Sequence, residues 1–176
     1  MQNVGSIPGR PDVLILRDPR ESKAKCSLTP LRDREGFRFV DYRHDRRLDA
    51  DGRVFLDPNG ELLTPADAGR GLFLIDCSWR RVASLRRTVD GDLIPRRLPP
   101  LVTGYPRKSK TFEDPHEGLA SIEALYAALW ILGQADEGLL ANYRWAQSFL
   151  DENRERLSGS SSADAGSPHR DHSSPA

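Results

Sequence analysis

The stretch GLFLIDCSW, residues 71–79, contains the most apolar run of an otherwise hydrophilic chain. Residues 72–76 are typical of a buried β-strand, because four apolar residues follow one another before the run stops at a carboxylate. A large aromatic residue, Trp79, comes three positions after that carboxylate, Asp76. In open parallel sheets, ligands bind where the strands end. The stretch therefore predicts a central strand with a binding site beside it.

Three further stretches have strand or turn character. Residues 12–18 predict a second buried strand, and residues 37–42 alternate between apolar and polar side chains, as half-buried strands do. The tripeptide at residues 58–60, Pro-Asn-Gly, is a turn signal. Residues 101–102, within a proline-rich segment, are compatible with another short strand.

Helical patterns alternate with these strands. Residues 78–87 predict a short helix, whose apolar face would carry Trp79, Val82 and Leu85. Residues 119–133 predict a helix that is apolar nearly all round and closed by a glycine, and residues 137–157 predict a last amphipathic helix. Alternating strands and helices predict an α/β domain with a mostly parallel sheet flanked by helices.

The composition bounds the organisation of the chain. Its 176 residues suffice for one domain, which we place at residues 12–157, after a flexible N-terminus at residues 1–11 and before a disordered, low-complexity tail at residues 158–176. No secretion signal and no membrane span are recognisable. Two cysteines, Cys26 and Cys77, are fewer than a small disulfide scaffold carries, which favours the cytoplasm.

The residues DCSW, at positions 76–79, allow two interpretations. In the structural one, Asp76 or Ser78 caps the following helix and Trp79 fills the core. In the functional one, the indole of Trp79 covers part of a small ligand that neighbouring polar groups orient. The residues alone favour the structural interpretation.

Positive charge is concentrated in residues 80–110. Nine basic and two acidic residues there give a net charge of +7 within a chain whose 26 basic and 26 acidic residues balance. Such asymmetry is typical of a surface that binds a nucleic acid, although a solvated face paired with carboxylates elsewhere is an equal alternative. The two cysteines and four histidines show no metal-ligand spacing, and no phosphate-binding loop or nucleophile elbow occurs.

Five segments, taken in order, resemble the aminocarboxypropyltransferase family that modifies small-subunit ribosomal RNA. The resemblance covers approximately residues 13–157, and the segments are ESKAKCSLTPL (21–31), DCSW (76–79), RRLPPLVTGYP (96–106), LASIEALYAALWILG (119–133) and NYRWAQSFLDENRERL (142–157). The family implies a knotted fold similar to that of the SPOUT methyltransferases. It also implies transfer of the aminocarboxypropyl group of S-adenosylmethionine to N3 of a modified uridine.

One segment departs from the family pattern. The family has Asn-Pro followed by Asn-Tyr-Gly, whereas residues 105–111 here read YPRKSKT. This segment is closer to the corresponding segment of the related DTW-domain enzymes, which modify transfer RNA. Transfer RNA is therefore an alternative acceptor. A non-catalytic RNA-binding ribosome-assembly factor is an alternative of another class.

The resemblance also implies roles for individual residues. Asp76 would end the central strand at the cofactor and is the candidate general base, and Trp79 would pack on the methionine portion. The other implied cofactor-binding residues are Ser27, Leu98, Leu101, Val102, Thr103 and Ser121, and Glu123 is expected to be structural. The implied RNA-binding residues are Arg80, Arg81, Arg107, Lys108 and Lys110. We expect a cytoplasmic monomer that acts on ribosomal RNA or a pre-ribosomal subunit.

Overall fold

The computed structural model describes residues 10–22, 26–106 and 118–161. In these ranges the strands are β1 Val13–Arg17, β2 Phe37–Asp41, β3 Leu48–Asp49, β4 Val54–Leu62, β5 Leu72–Asp76, β6 Val89–Asp90 and β7 Ile94–Arg97. The α-helices are α1 Val82–Arg86, α2 Ser121–Ile131 and α3 Ala146–Ser161, and the 3₁₀ turns are Thr29–Leu31, Pro65–Asp67, Trp79–Arg81 and Glu137–Leu140.

The main sheet has five strands in the order β2-β1-β5-β4-β7, and every pairing within it is parallel. Strands β3 and β6 form a second, two-stranded parallel sheet. The strands predicted at residues 12–18, 37–42 and 72–76 are confirmed, as is the α/β class with a parallel sheet. The knot implied by the resemblance stays a prediction.

Side-chain alternation along β1 and β5 assigns residues to the two faces of the sheet. Val13 and Ile15 pack with Leu72 and Leu74 in the larger core cluster, which contains helix α2. Leu14, Leu16 and Phe73 pack on the other face, with Leu85 of helix α1. Since successive side chains point to opposite faces, polar residues at the strand ends are divided between the two faces in the same way.

The carboxyl ends of three neighbouring strands lie together at one edge of the sheet. Strands β1 and β5 pair in register, so that Arg17 lies opposite Asp76, and Arg17 also pairs with Asp41 of β2. We call this the carboxyl edge. It is the position at which the sequence predicts a site.

The turn signal at residues 58–60 falls inside β4, at an irregularity of that strand. Leu56 and Glu61 both pair with Arg96 of β7, so residues 57–60 are inserted as at a β-bulge, and the N–H of Asn59 donates to Oδ1 of Asp57, 2.9 Å away. A Cβ on Gly60 would lie only 2.5 Å from the carbonyl carbon of Pro95, so the close approach of the two strands requires glycine here. The local turn propensity of these residues is therefore expressed as a bulge within β4.

Two other predictions need correction. Residues 101–102 form no strand, and the helix predicted at residues 137–157 is divided into the turn Glu137–Leu140 and helix α3. Helix α3 also continues to Ser161, past the predicted start of the tail. In its last turns, the hydroxyl of Ser158 donates to the carbonyl of Arg154, 2.8 Å away. The rest of the predicted tail, and residues 1–9, lie outside the described residues.

The helix predicted at residues 119–133 is confirmed as α2, which begins at Ser121. Almost all of its side chains are buried, because it packs between the sheet and helix α3. One of the buried residues, Glu123, is charged. Among the helices that the structure describes, none has both the length and the apolar character to cross a membrane.

Candidate active site

Asp76 ends β5 in a nearly closed environment, with 8% of its surface exposed. One carboxylate oxygen, Oδ2, accepts a hydrogen bond from the thiol of Cys26 at 3.0 Å. The other, Oδ1, accepts one from the hydroxyl of Ser121 at 2.8 Å. Asp76 therefore connects the loop after β1 to the start of helix α2.

Ser27 completes this connection, since its hydroxyl accepts a hydrogen bond from the backbone N–H of Ile122 at 3.3 Å. The structure thus brings Ser27, Asp76 and Ser121 together, as the sequence predicts. It also excludes a predicted alternative: Asp76 contacts the start of α2 instead of capping the helix that follows it, and Ser78 makes no side-chain capping bond.

Arg17, which the sequence analysis does not single out, lies behind this cluster. Its side chain is 1% exposed, and its Nε is 4.0 Å from Oδ2 of Asp76. Its Nη2 donates to the carbonyl of Glu21, 3.4 Å away, whereas Nε has no hydrogen-bond partner among the described residues. A buried guanidinium needs a compensating charge, and the nearby carboxylate of Asp76 supplies it.

The two thiols at the carboxyl edge are held in the neutral form. Burial, followed by the hydrogen bond to Asp76, raises the pKa of Cys26. Burial, followed by the charges of Asp18 and Asp76, raises the pKa of Cys77 to about 12. Since the thiolate is the reactive form of cysteine, neither side chain is suited to act as a nucleophile.

Glu123 is fully buried at the start of α2 and organises the neighbouring loops. It accepts four hydrogen bonds, from the hydroxyl of Thr103 at 2.7 Å, the N–H of Gly104 at 2.8 Å, the N–H of Ala120 at 2.9 Å and the hydroxyl of Tyr143 at 3.0 Å. Its structural role is therefore supported by direct contacts. Burial, and then the charge of Glu123, raises the pKa of Tyr143.

Asn153 of helix α3 holds the same loop from the other side. Its side-chain oxygen accepts from the N–H of Val102 at 2.8 Å, and its amide donates to the carbonyl of Val102 at 2.7 Å. Both backbone groups of Val102 are thereby occupied. The carbonyl oxygen keeps a second lone pair, and the cofactor-binding role that the resemblance implies for Val102 stays a prediction.

A cleft of about 540 Å³ opens beside Ser27. It is lined by Cys26, Ser27, Thr29, Pro30, Tyr105, Ala120, Asn142, Tyr143, Arg144 and Trp145. The ring of Trp145 lies between two tyrosine rings, with centroids 4.6 Å from Tyr105 and 5.8 Å from Tyr143. The volume lies within the range of small-molecule sites, and the lining combines aromatic faces with hydroxyl groups, as such sites do. We call it the aromatic cleft.

The remaining predicted cofactor residues lie outside the lining of this cleft. Leu98 and Leu101 are half-buried and pack against the main core, and Thr103 is bound to Glu123. Trp79 is 49% exposed, so the interpretation that it fills the core is wrong. Of the predicted apolar face of its helix, only Leu85 is fully buried.

The predicted RNA-binding residues fall into two groups. Arg80 is exposed, and Arg81 is partly buried and forms an ion pair with Asp18. Arg107, Lys108 and Lys110 lie outside the described residues. Within the described ranges, no three His, Cys, Asp or Glu side chains are grouped to hold a metal ion.

Comparison with known proteins gives consistent matches. The family described as "Ribosome biogenesis protein, C-terminal" matches residues 54–167. The 16S rRNA aminocarboxypropyltransferase of Vulcanisaeta distributa is 34% identical over 169 residues, which cover 92% of this chain and 87% of that protein. The enzyme of the same name from Methanosarcina mazei is 37% identical over 115 residues, which cover 62% of this chain and 64% of that protein.

A eukaryotic relative and a solved structure agree with these matches. The 18S rRNA aminocarboxypropyltransferase of Schizosaccharomyces pombe is 32% identical over 111 residues, covering 59% of this chain and 37% of that protein. The structure of a SAM-dependent rRNA:acp-transferase from Vulcanisaeta distributa superimposes with a TM-score of 0.67 at 34% identity. That superposition covers 86% of this chain and 83% of the other.

Proposed function

This chain belongs to the ribosome biogenesis protein, C-terminal family, and we propose that it transfers the aminocarboxypropyl group of S-adenosylmethionine to ribosomal RNA. The observation that carries the proposal is the similarity to an rRNA aminocarboxypropyltransferase over 92% of the chain. A match over 169 residues, which also covers 87% of the relative, cannot come from one shared motif.

The residues at the carboxyl edge fit such a donor. The donor combines an adenine ring, a ribose, a sulfonium and an amino acid, so it needs aromatic faces and hydrogen-bonding groups in one cleft. The aromatic cleft offers the rings of Tyr105 and Trp145 and the hydroxyl of Ser27. When bound, S-adenosylmethionine supplies carbon atoms made electrophilic by its sulfonium.

We propose that Ser27 and Ser121 meet the amino-acid end of the donor and that Trp79 packs on its methionine portion. Leu98, Leu101 and Thr103 would line the adenine and ribose. Val102 would contribute its side chain, which is 42% exposed, and the second lone pair of its carbonyl oxygen, since Asn153 takes only one.

The reaction forms a bond from N3 of a uridine to the terminal carbon of the aminocarboxypropyl group. The bond from that carbon to sulfur breaks, methylthioadenosine leaves, and N3 loses its proton. Whether this carbon or the methyl group is transferred depends on which of them the site places in line with N3. A carboxylate has about four lone-pair sites, so Asp76, with two hydrogen bonds, retains the capacity to accept the N3 proton. We propose Asp76 as that base.

Basic residues would bind the phosphates of the acceptor RNA. We propose Arg80, Arg81, Arg107, Lys108 and Lys110 for this role, on the basis of the charge concentration in residues 80–110. We further propose that the protein acts as a cytoplasmic monomer on ribosomal RNA or on a pre-ribosomal subunit. Size-exclusion chromatography and cell fractionation test these last two points.

The test is to incubate the protein with S-adenosylmethionine and small-subunit ribosomal RNA and to identify the nucleoside product by liquid chromatography. Methylthioadenosine is expected. S-adenosylhomocysteine would mean methyl transfer, and neither product from a folded, RNA-binding protein would mean a binding factor; both results overturn the proposal. A parallel reaction with transfer RNA identifies the acceptor: product formed only there would refute ribosomal RNA as the substrate.

A further inference from the structure

A second cleft, of about 530 Å³, also opens at the carboxyl edge. It is lined by Arg20, Tyr42, His44, Arg47, Arg81, Ser84, Arg87 and Thr88. Four of these eight residues are arginines, one is a histidine, and none is acidic. We call it the arginine cleft. Its lining differs from that of the aromatic cleft in every residue.

The arginine cleft is assembled from segments that follow three strands of the main sheet. Arg20 follows β1, whereas Tyr42, His44 and Arg47 follow β2. The remaining lining residues follow β5, on the turn Trp79–Arg81 and helix α1 and just beyond it. The basic segment 80–110 supplies Arg81 and Arg87, and only the fold brings Arg20 and Arg47 beside them.

The two clefts belong to opposite faces of the same edge. The side chain of Asp76 contacts Ser121 on the α2 face. Asp18, one residue beyond Arg17, is fully buried and forms an ion pair with Arg81 of the arginine cleft. The backbone N–H of Asp18 also donates to the carbonyl of Asp76, 3.0 Å away, which joins the strand ends that lie between the two clefts.

The positive charge of the arginine cleft is only partly neutralised. Arg81 is paired with Asp18, and Arg47 with Asp90. Among the residues that the structure describes, neither Arg20 nor Arg87 has a carboxylate within ion-pair distance, although Nη2 of Arg87 donates to the hydroxyl of Ser84 at 3.3 Å. Two guanidinium groups are therefore available to an external anion.

Guanidinium groups recognise phosphate oxygens in a fork geometry, and several of them around one concave surface favour a chain of phosphates over a single anion. We propose that the arginine cleft binds backbone phosphates of the RNA that flanks the modified nucleotide. The choice of RNA as the polyanion rests on the proposed function. The guanidinium carbon of Arg81 lies 5.7 Å from the centroid of the Tyr42 ring. This aromatic ring gives the cleft one apolar surface for an adjoining base or sugar.

The test uses Arg20→Glu/Arg87→Glu, because both side chains belong to the cleft and neither has an acidic partner. A matched control, Arg38→Glu/Arg70→Glu, makes the same change in net charge at two exposed positions. Arg38 is near the amino end of β2, and Arg70 precedes β5, so both are remote from the carboxyl edge. The probe is a fluorescein-labelled 20-nucleotide poly(U) RNA, titrated by fluorescence anisotropy at several salt concentrations.

We expect the cleft variant to bind the RNA at least tenfold more weakly than the control variant at 0.1 M salt. The slope of log affinity against log salt should fall by about 1.4, since each lost phosphate contact on a single strand removes about 0.7. Equal affinities and equal slopes for the two variants would overturn the proposal. If charge reversal lowers the melting temperature, Arg20→Gln/Arg87→Gln removes the two charges without reversing them. The salt slope of this variant, compared with that of Arg38→Gln/Arg70→Gln, then tests the proposal in the same way.

Two further measurements separate this proposal from others. Excess inorganic phosphate should fail to displace the RNA at equal ionic strength, whereas efficient displacement would mean a site for a small anion. Release of methylthioadenosine by the wild type is measured separately. A wild type that releases none, with cleft variants that still lose RNA affinity, would refute the proposed function and leave the arginine cleft supported.

Discussion

The thiol of Cys26 donates a hydrogen bond to Oδ2 of Asp76 across 3.0 Å. This contact has a chemical consequence, because Cys26 also lines the aromatic cleft in which we propose that S-adenosylmethionine binds. A sulfonium alkylates thiolates readily, so an ionised cysteine there would compete with the RNA. We therefore expect Asp76, by favouring the neutral thiol, to protect the protein from reacting with a donor bound in this cleft.

Replacing Asp76 by asparagine should make Cys26 more reactive. Removal of the carboxylate charge lowers the pKa of the thiol, which burial and Asp76 together raise, so more thiolate exists at pH 8. We expect iodoacetamide to label Cys26 several-fold faster in Asp76→Asn than in the wild type, as measured by mass spectrometry of the cysteine-containing peptide. The control is Asp92→Asn, an exposed site, and an unchanged or slower rate in Asp76→Asn would contradict the role of the contact.

Replacing Glu123 by alanine should strongly destabilise the fold. Four donors would lose their common acceptor in a fully buried place, and each unsatisfied buried group costs about 1–3 kcal/mol. We expect a loss of about 3 kcal/mol or more in the free energy of unfolding, measured by urea denaturation. Glu123→Gln, which keeps one acceptor oxygen, should lose less.

The exposed residue Glu152 on helix α3 provides the comparison for Glu123. Glu152→Ala should change the free energy of unfolding by no more than about 0.5 kcal/mol, as is usual at the surface. If the two alanine variants were equally stable, Glu123 would not organise the loops around the start of α2.

Part of this architecture is readable from the sequence, because its signal is local. Strands β1 and β5 are continuous apolar runs, and helix α2 is apolar nearly all round. Their positions therefore follow from the local sequence pattern alone. The turn signal at residues 58–60 shows the limit of local information. It marks the bulge in β4, but not that the strand resumes at Glu61 and pairs with β7, which lies more than thirty positions further along the chain at Ile94–Arg97.

The candidate active site was likewise predictable only in part. Asp76 stands out because it ends a buried strand, and the resemblance adds Ser27 and Ser121, which do meet around it. Arg17 gives no such signal, since it is one arginine among many and only the register of β1 with β5 brings it opposite Asp76. The sequence shows only part of the arginine cleft, because Arg81 and Arg87 belong to the basic residues of segment 80–110, whereas Arg20 and Arg47 come from segments after two other strands.

The protein should lose stability at alkaline pH. The folded state raises the pKa of Cys26, Cys77, Tyr126 and Tyr143, mainly by burial, from ordinary values of 9.0 for the thiols and 10.0 for the phenols. The folded chain therefore keeps protons that the unfolded chain releases, so that stability is complete below about pH 9 and declines as the pH rises towards the folded-state values.

Cys77→Ser isolates one of these groups, since serine has a similar size and does not titrate in this range. The pKa of Cys77 is about 12 in the fold, so its contribution disappears between about pH 9 and pH 12. We expect the melting temperature to drop less between pH 8 and pH 11 in Cys77→Ser than in the wild type. An equal drop in both proteins would mean that Cys77 ionises equally in the folded and unfolded states.

Replacing Trp79 by alanine tests whether its indole contacts the donor. Since 49% of its surface is exposed, the loss of stability should be within about 1 kcal/mol, well below the 3–5 kcal/mol of a buried tryptophan. If the indole packs on the methionine portion of the donor, Trp79→Ala should bind S-adenosylmethionine about tenfold more weakly. Trp79→Phe should recover part of the affinity, because it restores an aromatic face near the sulfonium.

The measurement for Trp79 is calorimetric titration of S-adenosylmethionine, beside melting curves recorded without it. Trp130→Ala is the matched control, because Trp130 is also partly exposed but lies at the opposite end of helix α2 from Ser121. Its indole donates to the carbonyl of Leu157 at 3.2 Å, so this control should lose some stability and keep its affinity. A Trp79→Ala variant with wild-type affinity would remove Trp79 from the donor site and leave the aromatic cleft, with Ser27, as the place where the donor must be sought.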